Sequence, residues 1–235
     1  MKSAPENFLL EVRTGRVADL GGVRTAYAKH RRDGGVRAHA TNLEGDDQAD
    51  RKHHGGPDKA VYAYAASAYP IWRAEVPRHL DKLVHGGFGE NLVVAGLDET
   101  NVQVGDRWRV GTALIEPCQP RQPCHVLSRW FGDPAMVRAL IESRRTGWYC
   151  RVVEEGVLTA GDACVLEDRI EGNFTIARLA GVIHAKRPER GDLALMVAMK
   201  GLAAQWQEWA FARLALLPPE ERVGPAGLEP ATKPL

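Results

Sequence analysis

The chain has 235 residues, of which 44% are hydrophobic and 26% are charged, and its formal net charge is +1. This length suits one substantial domain, or one domain with a small appendage. The near-neutral charge gives no electrostatic footprint for nucleic acid, and the sequence has no polybasic segment suited to a membrane surface. It also has no apolar run long enough to span a bilayer, and residues 1–7 lack the apolar core of a signal peptide.

The four cysteines are too few and too irregularly spaced for a disulfide scaffold. They are Cys118, Cys124, Cys150 and Cys164. We therefore expect a cytoplasmic protein with reduced thiols, without a nucleic-acid or membrane partner. Structural zinc is not favoured, because five residues separate Cys118 from Cys124, whereas zinc knuckles usually hold paired ligands about two to four residues apart.

The first two thirds of the chain predict a β-rich fold. Short β-prone segments are bounded mostly by Gly, Asp, Asn or Pro, the residues that favour turns. The pairs Gly105-Asp106 and Gly161-Asp162 each precede a new strand, which favours a meandering sheet that closes into a barrel. The predicted strands are Phe8–Thr14, Val23–Lys29, Ala60–Tyr64, Asn91–Val94, Arg107–Val110, Ala113–Glu116, Tyr149–Val153 and Ala163–Glu167.

Five segments carry apolar residues at helical spacing. Two of them, Ser67–Val76 and Asp133–Arg144, interrupt the strands. The other three follow the strands: Thr175–Ala185, a helix beginning at Asp192, and one from about Leu202 to Leu216. Each of these three is too short to be stable alone, so we expect them to pack on one another or on the barrel. The predicted organisation is a β-barrel domain at 1–170, a three-helix domain at 173–218 and a disordered tail at 219–235, where Pro and Gly are frequent.

The segment Gln119-Pro120-Arg121-Gln122-Pro123-Cys124 is the first candidate for chemistry. Its two prolines restrict the backbone, so we expect an extended connector that holds the Cys124 thiol in place. A nearby guanidinium favours the thiolate, the form that binds metals and attacks electrophiles. A buried, inert cysteine is an equally good interpretation of this segment alone. Adjacent side chains of an extended segment point to opposite sides, so a catalytic pair of Cys124 and His125 is not expected.

Two glycine-bearing loops are the other candidates. The first contains His54-Gly55-Gly56, where consecutive backbone N–H groups can form an anion-binding nest; the alternative is a solvated surface loop. The second, Gly86–Asn91, has three glycines, and Asn91 offers a hydrogen-bond donor and an acceptor. Taken alone, this second loop is more simply a turn into a strand, with Phe88 as an apolar anchor.

Four segments, in their order and spacing, resemble the MOSC family, which is named for the C-terminal domain of molybdenum cofactor sulfurase. The resemblance is to its YiiM-like branch, which carries a small helical C-terminal domain. The segments are Leu43–Asp46 with His54–Asp58, Phe88–Leu92, Val104–Asp106 and Gln119–Cys124.

The resemblance implies a closed β-barrel with peripheral helices that binds the pterin-based molybdenum cofactor. Cys124 matches the position of the metal ligand and would be the catalytic residue; a thiolate is a soft ligand of the kind such metals select. From the chemistry of the loops, we assign the cofactor's phosphate to His54-Gly55-Gly56 with Arg121, and to Asn91. Binding of pyridoxal phosphate is left open.

The implied activity is reductive detoxification of N-hydroxylated compounds such as hydroxylaminopurines, amidoximes and hydroxylamines. The sequence has no flavin, haem or iron–sulfur motif, so a separate flavoprotein-type reductase is expected to supply the electrons. A homodimer is an expectation at the level of the family. Two alternatives stay open: a non-catalytic carrier that passes the cofactor, or a persulfide on Cys124, to a partner, and a binding barrel in which Cys124 is inert.

Overall fold

The structure is a computed structural model, and it describes residues 6–50, 55–170, 172 and 174–217. The predicted site residue His54 and the predicted tail at 219–235 lie outside these ranges. The described residues form thirteen β-strands and six α-helices. None of these helices is both long and apolar enough to cross a membrane.

The strands are β1 (Phe8–Thr14), β2 (Ala18–Asp19), β3 (Arg24–Thr25), β4 (His30–Arg31), β5 (Val36–His39), β6 (Asn42–Leu43), β7 (Val61–Ala65), β8 (Leu92–Ala95), β9 (Asp106–Val110), β10 (Ala113–Pro120), β11 (Trp148–Glu154), β12 (Gly156–Leu158) and β13 (Cys164–Arg169). The helices are α1 (Ala68–Glu75), α2 (His125–Phe131), α3 (Ala135–Ser143), α4 (Ile176–His184), α5 (Arg190–Ala198) and α6 (Ala204–Ala215). Two short 3-10 helices cover Pro57–Lys59 and Pro77–His79.

Eight strands form one curled sheet in the order β13-β9-β10-β11-β7-β8-β1-β4. Its neighbours are antiparallel except for β7 and β8, which run parallel. The two sides of the sheet meet where Phe8 bridges Ala163, and the Leu9 N–H donates to the Asp162 carbonyl at 2.9 Å. The predicted mixed fold, a β-barrel with peripheral helices, is confirmed.

One predicted strand is largely absent. Of Val23–Lys29, only Arg24–Thr25 is a strand. This short strand pairs only with β2, in a separate two-stranded sheet, and the side chains after Thr25 are directed to partners on other loops. The Tyr27 hydroxyl donates to the Gly87 carbonyl at 3.1 Å, and Lys29 forms a buried ion pair. The predicted strand Phe8–Thr14 is observed with the same bounds, and the other predicted strands are present with one or both ends shifted.

The segment around Cys124 is not the single extended connector that the sequence predicts. Strand β10 continues through Gln119 and Pro120, and helix α2 begins at His125, directly after Cys124. Cys124 itself is extended, with φ −123° and ψ 176°, but His125 is the exposed first residue of a helix. The expectation that His125 continues an extended connector is therefore wrong. The helix escaped prediction because its seven residues are too few to show a clear periodicity.

The C-terminal helices share a hydrophobic core with the barrel. One continuous cluster of buried residues includes Trp108 of β9 and Met196 of α5. Polar contacts add to this junction, since the Arg151 guanidinium donates to the carbonyls of Gly201 and Leu202 at 2.9 and 3.1 Å. A separate three-helix domain at 173–218 stays a prediction, and the observed contacts tie these helices closely to β10 and β11.

Candidate functional site

A cavity of about 330 Å³ lies among segments that are far apart in the sequence. Most residues that line it lie in the segments 23–29, 46–50, 88–91 and 121–126. Tyr62 of β7 and Tyr149 of β11 also line it. Of the predicted site residues, Cys124, Arg121 and Asn91 line this cavity. The fold therefore brings the Gln119–Cys124 segment and the second glycine loop together.

Cys124 differs from the other three cysteines of the chain in its accessibility. It is partly exposed and lines the cavity, whereas Cys118, Cys150 and Cys164 are buried. The Cys118 thiol donates to the Asp58 carbonyl at 3.3 Å, and burial raises the pKa of Cys118 well above its ordinary value. Burial also raises the pKa of Cys164 to about 12. Cys124 is thus the cysteine that a ligand in the cavity can reach.

Arg121 places a buried positive charge beside the cavity. Its side chain is largely buried, with the residue 4% exposed, and its Cζ lies 5.2 Å from the ring centre of Tyr62 and 5.7 Å from that of Tyr27. Guanidinium groups bind aromatic faces at such distances. Within the described part of the chain, Arg121 Nη1 and Gln122 Nε2 are buried and have no hydrogen-bond partner. A guanidinium keeps its proton, so these two donors suit an anionic group bound in the cavity.

The backbone of Arg121 is fixed by a turn ahead of β11. The Arg121 N–H donates to the Gly147 carbonyl at 3.1 Å, and the Tyr62 hydroxyl donates to the Thr146 carbonyl at 2.8 Å. The Gly147 N–H in turn donates to the carboxylate of Glu99 at 2.6 Å. Gly147 must be glycine, because its φ is +66° and a Cβ would lie 2.6 Å from the Tyr62 ring. Both the backbone of Arg121 and the ring beneath its guanidinium are therefore anchored to one turn.

Glu99 is a buried carboxyl group behind this turn. The residue is 3% exposed, and burial raises its pKa to about 7, opposed by the hydrogen bond from Gly147 and by the charge of Arg145. Glu99 therefore titrates near neutral pH in the folded protein.

Asn91 lines the cavity, but its side chain is engaged by the fold. Its Oδ1 accepts from the Tyr62 N–H at 3.1 Å, and its Nδ2 donates to the Arg13 carbonyl at 3.2 Å and to the Asp46 carboxylate at 2.9 Å. The amide thus supports Asp46 and the start of β7. A direct contact between Asn91 and a cofactor remains a prediction.

Lys29 and Asp46 form a buried ion pair at the cavity that no single motif predicts. The Lys29 Nζ lies 2.6 Å from each oxygen of the Asp46 carboxylate, and the two side chains are 8% and 3% exposed. Asp46 also accepts from the Gly15 N–H at 2.7 Å. Burial lowers the pKa of Lys29, and the charge of Asp46 opposes this effect. Asp46 lies in a recognisable motif, but Lys29 lies in a segment that predicts only a strand.

The second glycine loop is shaped around the carboxylate of Glu90. This group accepts from the Gly86 N–H at 2.6 Å and from the Phe88 N–H at 3.1 Å. A Cβ on Gly87 would lie 2.1 Å from a backbone carbonyl oxygen. Phe88 is fully buried and stacks on Tyr64 with ring centres 4.6 Å apart, which confirms its predicted role as an apolar anchor. These glycines therefore serve the close packing of the loop itself.

The first glycine loop lies beside the cavity. Gly56 has φ +94° and immediately precedes the 3-10 helix Pro57–Lys59, and Lys59 lines the cavity. A Cβ on Gly56 would meet nothing within 4 Å, so its backbone is open. Gly55 and Gly56 do not themselves line the cavity, and their binding of an anion remains a prediction.

The donor set suits a metal that arrives within an organic cofactor. Among the described residues, no group of three or more His, Cys, Asp or Glu could hold a metal ion by itself. A single accessible thiol at Cys124 can supply one soft ligand to a metal whose other ligands come from the cofactor. The unpaired donors of Arg121 and Gln122 suit the anionic part of such a group.

These features define a curled β-barrel domain with an accessible cysteine after one of its strands. The chain belongs to the MOSC domain family, whose model matches residues 50–165. Protein YiiM of Escherichia coli (strain K12) is 33% identical over 200 residues, which is 85% of this chain and 89% of that protein. The uncharacterized protein YflK of Bacillus subtilis (strain 168) is 42% identical over 154 residues, covering 66% of this chain and 68% of YflK.

A third relative is considerably longer than this chain. A Gibberella moniliformis protein named "Reductase" is 37% identical over 190 residues, which is 79% of this chain but 34% of that protein. The chain thus spans about a third of the length of this relative.

Solved structures confirm the fold. The crystal structure of YiiM from Geobacillus stearothermophilus matches with a TM-score of 0.76 at 28% identity, covering 88% of this chain and 99% of that one. The crystal structure of YiiM from Escherichia coli matches with a TM-score of 0.76 at 27% identity, covering 89% and 92%. The resemblance read from the sequence motifs is therefore confirmed at the level of the family and its YiiM-like members.

Proposed function

We propose that this protein binds a molybdenum cofactor and reduces N-hydroxylated compounds, with electrons from a separate flavoprotein-type donor. The proposal depends on one observation: the accessible thiol of Cys124 and the buried guanidinium of Arg121, whose Nη1 has no hydrogen-bond partner among the described residues, line the same cavity. Membership of the MOSC family and the name of the longer fungal relative support an oxidoreductase. The proposed substrates are hydroxylaminopurines, amidoximes and hydroxylamines.

Each residue of the proposed site has a distinct task. Cys124 would hold the metal through Sγ, while Arg121 and Gln122 would bind the cofactor's anionic group from the cavity wall. His54, Gly55, Gly56 and Asn91 complete the proposed binding set. When bound, the cofactor supplies a metal that passes two electrons to the N–OH group.

The aromatic wall of the cavity beside Arg121 suits a planar substrate. Tyr27, Tyr62 and Tyr149 line it, and burial raises the pKa of all three phenols above their ordinary value. The phenols therefore stay neutral and offer flat apolar faces with polar edges. As parts of the same proposal, the protein acts in the cytoplasm, and a homodimer is its assembly.

The decisive experiment measures molybdenum in wild type and Cys124→Ala side by side, after expression with cofactor supply. We expect near-stoichiometric metal and amidoxime reduction with an artificial electron donor in wild type, and loss of both in Cys124→Ala. Cys118→Ala is the matched control and should keep its metal, because Cys118 is buried away from the cavity. Wild-type reduction by Cys124→Ala would refute the mechanism, and bound cofactor without any turnover in wild type would favour the carrier.

A further inference from the structure

Lys29 lines the cavity, and its ammonium is held by one carboxylate. An ammonium group has three N–H donors. Within the described residues, Lys29 Nζ donates to the two oxygens of Asp46, at 2.6 Å each. The third N–H is left for a group in the cavity that Lys29 lines.

The ion pair that holds Lys29 is itself rigid. Asp46 accepts from the Gly15 N–H at 2.7 Å and from the Asn91 amide at 2.9 Å in addition to Lys29. Asn91 is fixed in turn by the Tyr62 N–H. The ammonium is therefore held at one place by a carboxylate with four donated hydrogen bonds, which is the arrangement that positions an acid for proton transfer.

The other titratable groups at the cavity suit this task less well. Burial lowers the pKa of Lys59 too, but Lys59 is less deeply buried than Lys29. Tyr27, Tyr62 and Tyr149 hold their protons because burial raises the pKa of each phenol. Arg121 cannot release its proton at all. His125 is exposed at the start of α2. Burial lowers the pKa of Lys29 and outweighs the facing charges of Asp46, Glu90 and Asp47, which makes its ammonium a stronger acid than that of an ordinary lysine.

We propose that Lys29 is a catalytic residue that donates a hydrogen bond and then a proton to the departing oxygen of the N–OH group. This inference rests on the proposed function. For a hydroxylamine, the N–O bond would break with two electrons that originate from the flavoprotein-type donor, and the oxygen would take one proton from Lys29 and leave as water. The nitrogen takes a second proton from solvent and becomes the amine. Solvent then returns a proton to Lys29, so the reaction consumes two electrons and two protons.

The test compares wild type with Lys29→Met, using benzamidoxime as the substrate and protein loaded with molybdenum cofactor. General acid catalysis contributes on the order of 100-fold or more, so we expect kcat to fall about 100-fold. Molybdenum content should be unchanged. Binding of benzamidoxime to the oxidised protein without reductant, followed by calorimetry, should weaken only about 5-fold, the value of one hydrogen bond.

The pH profile distinguishes a proton donor from a structural lysine. A donor must be protonated, so wild-type kcat should fall as pH rises through the pKa of Lys29, and Lys29→Met should lack this alkaline limb. Lys59→Met is the matched control, because it removes a second, partly buried ammonium from the same cavity. Its loss in kcat should be smaller, and it should keep the alkaline limb.

Equal losses in Lys29→Met and Lys59→Met, or an alkaline limb that persists in Lys29→Met, would overturn the role of Lys29. If Lys29→Met does not fold, Lys29→Met/Asp46→Asn removes both buried charges, and wild-type kcat in that variant would overturn the role as well. Absence of turnover in loaded wild type would instead overturn the proposed function, and this inference with it.

Discussion

Glu99 and Arg121 are linked through the two sides of one residue, Gly147. The Gly147 N–H donates to the Glu99 carboxylate at 2.6 Å, while its carbonyl accepts from the Arg121 N–H at 3.1 Å. A buried acid thus supports the cationic wall of the cavity without lining the cavity itself. Because its pKa lies near 7, its charge state changes within the physiological pH range.

Glu99→Gln should stabilise the protein at alkaline pH. The pKa of Glu99 is raised from 4.5 to about 7 on folding, so the fold favours the protonated form, and stability is lost as pH rises from about 4.5 to above 7. The full cost of the ionised form is about 3 kcal/mol, and a neutral glutamine avoids it. We expect the free energy of unfolding of the variant, relative to wild type, to rise between pH 5 and pH 8 in urea titrations. A difference that is the same at both pH values would contradict the assignment.

Arg121→Met should abolish anion binding at the cavity. The guanidinium is the buried cation that carries an unpaired donor there, and its loss removes both charge and hydrogen bond. We expect sulfate binding, measured by calorimetry on cofactor-free protein, to weaken at least 10-fold. Sulfate is chosen because its charge does not change near neutral pH. Arg129→Met is the control, since Arg129 is exposed and does not line the cavity; equal affinity in wild type and Arg121→Met would refute the anion site.

Gly87→Ala should disrupt the second glycine loop. A Cβ there would lie 2.1 Å from the Lys82 carbonyl oxygen and 2.8 Å from that of Val84, and neither backbone group can move aside cheaply. We expect a loss of at least about 2 kcal/mol in the free energy of unfolding. Gly191→Ala is the control, because this helical glycine has nothing within 4 Å of an added Cβ, and alanine should stabilise α5 by about 0.5 kcal/mol. Thermal melts of both variants measure the contrast, and a Gly87→Ala protein as stable as wild type would show that the loop packs differently.

Arg151→Met should loosen the C-terminal helices. Its guanidinium pairs with Asp58 at 2.5 Å and Glu116 at 2.9 Å, and it donates to two carbonyls ahead of α6. Its removal leaves the buried Glu116 without this cation, at a cost of about 2 kcal/mol. Hydrogen exchange should increase in residues 204–215, whereas Arg138→Met, on an exposed pair with Glu142, should leave exchange unchanged. Unchanged exchange in Arg151→Met would show that the apolar core alone holds these helices.

The local sequence was sufficient to predict those strands and helices whose ends are set by neighbouring residues. The prediction of β1 is exact because Phe8–Thr14 is bounded by turn residues and has a strong β pattern. The predicted helix Thr175–Ala185 begins at a threonine, a residue type that caps helices, and the Thr175 side chain accepts from the Arg178 N–H. Four motif segments, among them Gln119–Cys124, indicated the family through their order and spacing along the chain.

The candidate site is formed by contacts between residues that are far apart in the sequence, and no local sequence pattern predicts such contacts. Lys29 lies in what the sequence predicts as a strand, and only the folded chain brings it 2.6 Å from Asp46. Glu99 reaches Arg121 through the turn at Gly147, in a third part of the chain. The sequence by itself thus determined the barrel class and the family and made Cys124 a candidate, because spacing and periodicity are short-range properties. The tertiary structure decided the cavity, the unpaired donor of Arg121 and the Lys29–Asp46 pair, because burial and partner choice depend on which distant segments pack together.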